Sequence, residues 1–145
     1  MFAAALLSTA CASAPAPAIE ATTFAPALAV DLSDMRTSYG GLRWRDLGVG
    51  SGATALQGKT VKLYYNLWLA DGTPVDSTQP PKGPIMFELG KHEVIEAWER
   101  GIPGMRVGGR RQFVVPPSLG YGSKGADRIP PNAVLVFVID LVDAK

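Results

Sequence analysis

Residues 94–108 carry a helix signal about two turns long that runs into a Gly/Pro stop, and a lone short helix among strand-like runs restricts the fold more than any other feature of the chain. Val94, Ile95 and Trp98 stand at i, i+1 and i+4, a spacing that predicts one shared helical face. Gly101 falls where a left-handed C-cap residue is wanted, and Pro103 cannot continue the helix.

The flanking sequence alternates with a period of two. Leu42 to Leu47 alternates and runs into a glycine-rich turn. Val61, Leu63, Tyr65, Leu67 and Leu69 share one face of a predicted strand, and Lys62, Tyr64, Asn66 and Trp68 share the other. Asp71-Gly72 is a hairpin turn signal. Residues 86–89, 110–115 and 134–142 supply further strands. In the last of them Leu135, Phe137, Ile139 and Leu141 form one face and Val134, Val136 and Val138 the other, so this strand is expected in the middle of its sheet. One short helix against a curved antiparallel sheet is an α+β architecture.

Composition limits the chemistry. The chain has 145 residues, 47% hydrophobic and 19% charged, enough for one domain with a core plus a tail. Its net charge of +1 gives no electrostatic case for nucleic acid. One cysteine and one histidine exclude an internal disulfide and a cysteine-based zinc site. No serine sits in a nucleophile-elbow context, so covalent catalysis has no candidate residue and no cofactor is expected.

Together with the helix segment, Tyr65-Asn66-Leu67-Trp68-Leu69-Ala70-Asp71-Gly72, Pro116-Pro117-Ser118-Leu119-Gly120-Tyr121-Gly122 and Ile129-Pro130-Pro131-Asn132-Ala133 follow in an order and spacing that resemble the FK506-binding class of peptidyl-prolyl cis-trans isomerases over residues 42–145. The resemblance implies a five- or six-stranded half-barrel wrapped around one helix. It implies a monomer that binds X-Pro polypeptides and FK506- or rapamycin-type macrolides. Carried onto matching motifs, it places Tyr65, Asp76, Trp98, Tyr121 and Phe137 in a catalytic pocket, and Val75, Ile85, Val94, Ile95 and Ile129 around the substrate. Trp98 would be the floor under the proline ring, and the Ile95 amide and Tyr121 hydroxyl would each take a carbonyl. Each residue has a plainer alternative: Trp98 as core packing, Tyr121 as a turn residue, Asp76 as the acceptor of an Asx turn, His92 as a solvated loop residue. A non-catalytic module that holds extended Pro-containing segments in the same groove is the competing function.

Several positions depart from the family pattern. Val75 stands where Phe is usual and Ile85 where a bulky group is common. Leu67 and Ala97 replace frequent glycines, and the loop over residues 79–84 lacks an arginine that pairs with the pocket aspartate in some relatives.

Residues 1–41 differ in composition and read as a leader and tether. Leu7-Ser8-Thr9-Ala10-Cys11 resembles a relaxed bacterial lipobox, with Cys11 the lipidated residue and the Ala/Pro-rich stretch after it a largely disordered tether spanning roughly 30 Å. Ala27-Leu28-Ala29 is an alternative cleavage pattern that would release a soluble periplasmic or organelle-lumen protein, and Cys11 as an ordinary leader residue is the third reading. All three place the domain outside the cytosol, with a lipid anchor as the one link to a membrane.

Overall fold

The computed structural model describes residues 19–145. The lipobox-like run with Cys11 lies outside them. Seven antiparallel strands form one open sheet: β1 (Arg36–Thr37), β2 (Arg43–Gly48), β3 (Thr60–Leu69), β4 (Pro74–Thr78), β5 (Ile85–Glu88), β6 (Arg110–Val115) and β7 (Leu135–Ala144). Their order is β1-β2-β6-β7-β3-β4, and β5 pairs with the first half of β3 where β4 pairs with the second. The helix α1 (Glu96–Gly101) lies against the concave face. No helix among the described residues is long and apolar enough to cross a membrane.

Strand parity decides which side chains meet the helix. Val61, Leu63 and Leu67 of β3 and Leu135, Phe137, Ile139 and Leu141 of β7 point inward and form the main core with Trp98, Ile102 and Phe113. The Asp71-Gly72 turn joins β3 to β4, with Gly72 at φ +92° and Leu69 N–H bonded to the Thr73 carbonyl. As expected, β7 is central and buried on both faces, with Val136 on its outer side fully covered.

The helix begins later than its apolar spacing predicts. Val94 and Ile95 precede it, and Ile95 is the N-cap, with φ −63° and ψ 154°. Gly101 is the last helical residue, not a left-handed cap; the positive φ falls at Gly104 (+97°). Gly101 is needed for space, since a Cβ there would sit 2.3 Å from Phe113 Cε1 and 3.1 Å from Leu42 Cδ2. The helix end is satisfied from the sheet: Arg111, itself buried, donates to the Gly101 carbonyl at 2.9 Å, pairs with Asp46 at 2.7 Å and stacks over Trp44. A cation at a helix C-terminus complements the negative end of the dipole.

Residues 19–41, expected as a disordered tether, pack against the outer face of the sheet. They form short 3-10 turns over Ile19–Ala21, Pro26–Leu28 and Leu32–Asp34 before entering β1, which adds a strand beyond the five or six expected. Ile19, Leu28 and Met35 are buried against Val114, Val134 and Val136, with Trp68 at the margin. Ala25 N–H bonds the Ala70 carbonyl at 2.8 Å, and Arg43 pairs with Glu20. Gln112, buried in β6, gives its amide to the Leu28 carbonyl at 2.8 Å and takes Arg45 Nε at 2.9 Å. The segment therefore covers apolar surface and satisfies a polar group that would otherwise be stranded. Leu28→Ala should lower stability by about 2 kcal/mol or more through lost burial and the cavity left behind. Urea denaturation would measure this, with Val49→Ala at an exposed site as the neutral control; equal midpoints for both variants would mean the segment is not part of the cooperative unit.

Candidate functional site

The helix presents Trp98 toward the inward rings of β3 and β7. Tyr65 meets Trp98 edge-on with centroids 5.1 Å apart, and Phe137 does so at 5.4 Å. Phe87 of β5 stacks on the indole at 5.8 Å and 30°. Such offset and edge-to-face arrays are the preferred geometries of aromatic quadrupoles. The three rings Tyr65, Trp98 and Phe137 belong at once to the core and to the wall of an open cleft of about 420 Å³.

The cleft is lined by Tyr65, Leu67, Asp76 and Ile85 from strands β3 to β5, by Glu93, Val94, Ile95 and Trp98 around the start of α1, and by Tyr121 and Phe137. Eight of the ten residues named from sequence thus come together: Tyr65, Asp76, Ile85, Val94, Ile95, Trp98, Tyr121 and Phe137. Val75 and Ile129 line an adjoining groove of about 280 Å³ instead, joined to the cleft through Leu67, Asp76 and Tyr121. Leu67 lay on the inward face of its strand by parity, a signal sufficient to find it. Nothing in the local sequence marks Glu93 as a lining residue.

Polar groups are few and mostly committed. Tyr65 donates its hydroxyl to Asp76 Oδ2 at 2.6 Å, and the Ser77 amide donates to Asp76 Oδ1 at 2.8 Å. The Asp76 carboxylate thus takes the amide of the next residue rather than one two residues on, so it forms no Asx turn while it lines the cleft. The Ile95 carbonyl accepts from the Trp98 and Glu99 amides, whereas the Ile95 amide donates to no acceptor among the described residues. Trp98 Nε1 is buried without a partner among the described residues. Its cost falls on the packing energy of the ring.

A second residue missed by the sequence reading holds this wall in place. Glu99 is buried beside Trp98 and accepts the Gly90 amide at 2.7 Å and the His92 amide at 3.1 Å. It ties the segment between β5 and α1, which carries Glu93, Val94 and Ile95, to the helix. A carboxylate taking two backbone N–H groups is a strong, charge-assisted anchor. Across the cleft, Arg128 donates to the Val75 carbonyl at 3.0 Å, so the loop carrying Tyr121 is tied to β4.

The family profile of FKBP-type peptidyl-prolyl cis-trans isomerases matches residues 52–142. A Neisseria meningitidis serogroup B FK506-binding protein is 40% identical over 104 residues, covering 71% of this chain and 95% of that protein. The chain belongs to the FKBP-type peptidyl-prolyl cis-trans isomerases. The 46 kDa FK506-binding nuclear protein of Spodoptera frugiperda is 46% identical over 108 residues, which are 73% of this chain and 26% of that longer protein. Among solved structures, AtFKBP13 superposes with a TM-score of 0.70 at 35% identity, covering 77% of this chain and 98% of the other. FkpA from Escherichia coli gives 0.71 at 35%, covering 77% and 52%. The matched family region begins at residue 52, beyond the segment of residues 19–41 that covers the outer sheet face.

Both phenols of the cleft keep their protons. Burial, then the hydrogen bond to Asp76 and its charge, pushes Tyr65 well above the ordinary tyrosine range. Burial and the Asp76 charge likewise raise Tyr121. A raised phenol pKa moves ionisation to higher pH, so neither ring changes charge between about pH 6 and 9. Isomerisation of an uncharged X-Pro peptide should accordingly be flat across that range; a bell-shaped profile in kcat/KM would reveal a proton transfer that this cleft does not provide.

Proposed function

We propose that the cleft floored by Trp98 catalyses rotation about X-Pro bonds by desolvating the imide. The barrier of about 18–20 kcal/mol arises from amide resonance. The twisted transition state loses that resonance and with it much of the charge separation that water stabilises in the planar ground state. An apolar wall therefore favours the twisted state over the planar one, which is differential binding of the transition state. The observation that carries this reading is the open cleft walled by Tyr65, Trp98 and Phe137, with Ile85, Val94 and Leu67 completing its apolar surface. In this reading Trp98 seats the proline ring, the unpaired Ile95 amide and the Tyr121 hydroxyl orient the flanking carbonyls, and Asp76, held by Tyr65, faces the polarised carbonyl.

The substrates are extended Pro-containing polypeptides with a bulky apolar residue such as Leu or Phe before the proline. Macrolides of the FK506 type would compete for the same cleft. In an NMR exchange assay the protein should shorten the tens to hundreds of seconds of uncatalysed Leu-Pro isomerisation. Trp98→Leu should lower kcat/KM by about ten-fold or more, since it removes up to about 1.5–3 kcal/mol of apolar contact with the ring. Peptide binding with an uncatalysed exchange rate would replace catalysis with the peptide-holding function.

The chain would serve protein folding outside the cytosol, on the periplasmic side of a bacterial envelope and held there through Cys11. Support comes from the small residues preceding Cys11 and the apolar start of the sequence. Cleavage after Ala29 is disfavoured as the route of release, because a chain starting at Val30 would lack Ile19 and Leu28, which cover the outer sheet face. Wild type should fractionate with membranes and Cys11→Ser should not. A mature N-terminus at Val30 by mass spectrometry would overturn the anchor and leave the isomerase reading intact.

A further inference from the structure

The cleft does not end at its apolar floor. Leu67, Asp76 and Tyr121 also line the adjoining groove, and an outer groove of about 390 Å³ continues from it past Val75 and Asp76 to Arg128 and Lys82. The three hollows share Leu67 and Asp76 in their linings and so adjoin as one trough. Its charges are sorted along its length. The lining of the prolyl cleft includes two carboxylates, Asp76 and Glu93, and no cation. The lining of the outer groove includes two cations, Lys82 and Arg128, and Asp76 as its one carboxylate. Asp127 lines the connecting groove only, together with Arg128 and Asp76.

The end groups are available for a ligand. Arg128 spends one N–H on the Val75 carbonyl and makes no ion pair among the described residues; Lys82 makes none either. Asp76 is common to both parts but already accepts from Tyr65 and Ser77. Glu93 uses Oε1 for the Glu88 amide at 3.0 Å, and the neighbouring cation Lys91 is engaged by Glu88. Glu93 therefore keeps a carboxylate oxygen and its charge for the cleft.

We propose that this trough, whose prolyl site is the one assigned above, reads charge order in its substrates: an acidic side chain on one side of the proline settles against Arg128 and Lys82, and a basic one on the other side against Glu93. Exposed ion pairs of this kind contribute modestly and are screened by salt, so the expected preference is about two- to five-fold per charge at low ionic strength. The apolar cleft supplies affinity, and the terminal charges decide which direction of chain and which sequences are held.

The test uses four peptides with one Leu-Pro core, flanked by Glu before and Lys after, by the reverse, by Glu on both sides and by Ala on both sides. Their affinities for the full chain are measured by calorimetry and their exchange rates by NMR. One mixed order should bind several-fold more tightly than its reverse, and the gap should close in about 0.5 M salt. In the double variant Lys82→Gln/Arg128→Gln the favoured peptide should lose its advantage over the Ala-flanked peptide on the acidic side, while Glu93→Gln should remove the advantage of the basic side. Equal affinities for the two mixed orders, or a preference that survives these substitutions, would overturn the proposal. Because the charge order is read in affinity, absence of catalysed exchange with all four peptides would remove the isomerase mechanism without touching it, and normal catalysis of the Ala-flanked peptide with no charge order would do the reverse.

Discussion

The Trp98 indole is the contact on which the architecture converges. It stacks on Phe87 and is met edge-on by Tyr65 and Phe137, so three strands and the helix share one aromatic cluster. A six-residue helix is too short to be stable through its own hydrogen bonds. It persists because Ala97, Trp98 and Ile102 are buried against the sheet and because the ends of the segment are tied down. Glu99 fastens the residues entering it and Arg111 the carbonyl leaving it. The cluster is consequently a core that opens on one side, and the opening is the cleft. The rings that line the cleft are also the rings that pack the core, so the cleft wall is held by the core itself.

Rigidity at this site suits the reaction. Rotation about a prolyl bond needs neither a nucleophile nor a titrating group, and the two cleft groups Tyr65 and Asp76 are hydrogen-bonded to each other. The Tyr65 proton is committed to Asp76, and both tyrosines are pushed away from neutrality by burial and by that carboxylate. What remains is a largely apolar surface, the feature on which the proposed desolvation of the imide rests.

Much of this was legible in the residues, for physical reasons that also explain the rest. Period-two alternation in β3 and β7 assigns Tyr65 and Phe137 to the concave face because a pleated strand allows no intermediate choice. The same parity places Leu67. Helical spacing was a weaker guide: Val94 and Ile95 fit a helix face, yet they lie in the extended turn ahead of it, where their backbone rather than their helical phase brings them to the cleft. Gly101 was read through its conformational freedom, whereas its missing side chain is what β6 requires. The Ala/Pro-rich stretch gave no periodic signal because its 3-10 turns are too short to have one, and only the apolar outer face of β7 hinted that something must cover it. Glu99 was invisible because its role depends on two amides seven and nine residues upstream.

The two departures at Leu67 and Val75 become intelligible as a pair. β3 and β4 place Leu67 opposite Asp76, the immediate neighbour of Val75, and both side chains are buried along the wall between the prolyl cleft and the adjoining groove. Bulk that an aromatic residue would contribute from β4 is absent at Val75, and bulk that a glycine would omit from β3 is present at Leu67. Well-packed walls tolerate such redistribution when total volume is kept. Leu67 pairs with Phe137 across β3 and β7, so its bulk stands beside that ring. The groove lined by Arg128 and Lys82 shares Leu67 and Asp76 with the cleft. The absence of an aromatic at Val75 is thus set against added bulk at Leu67 on the neighbouring strand.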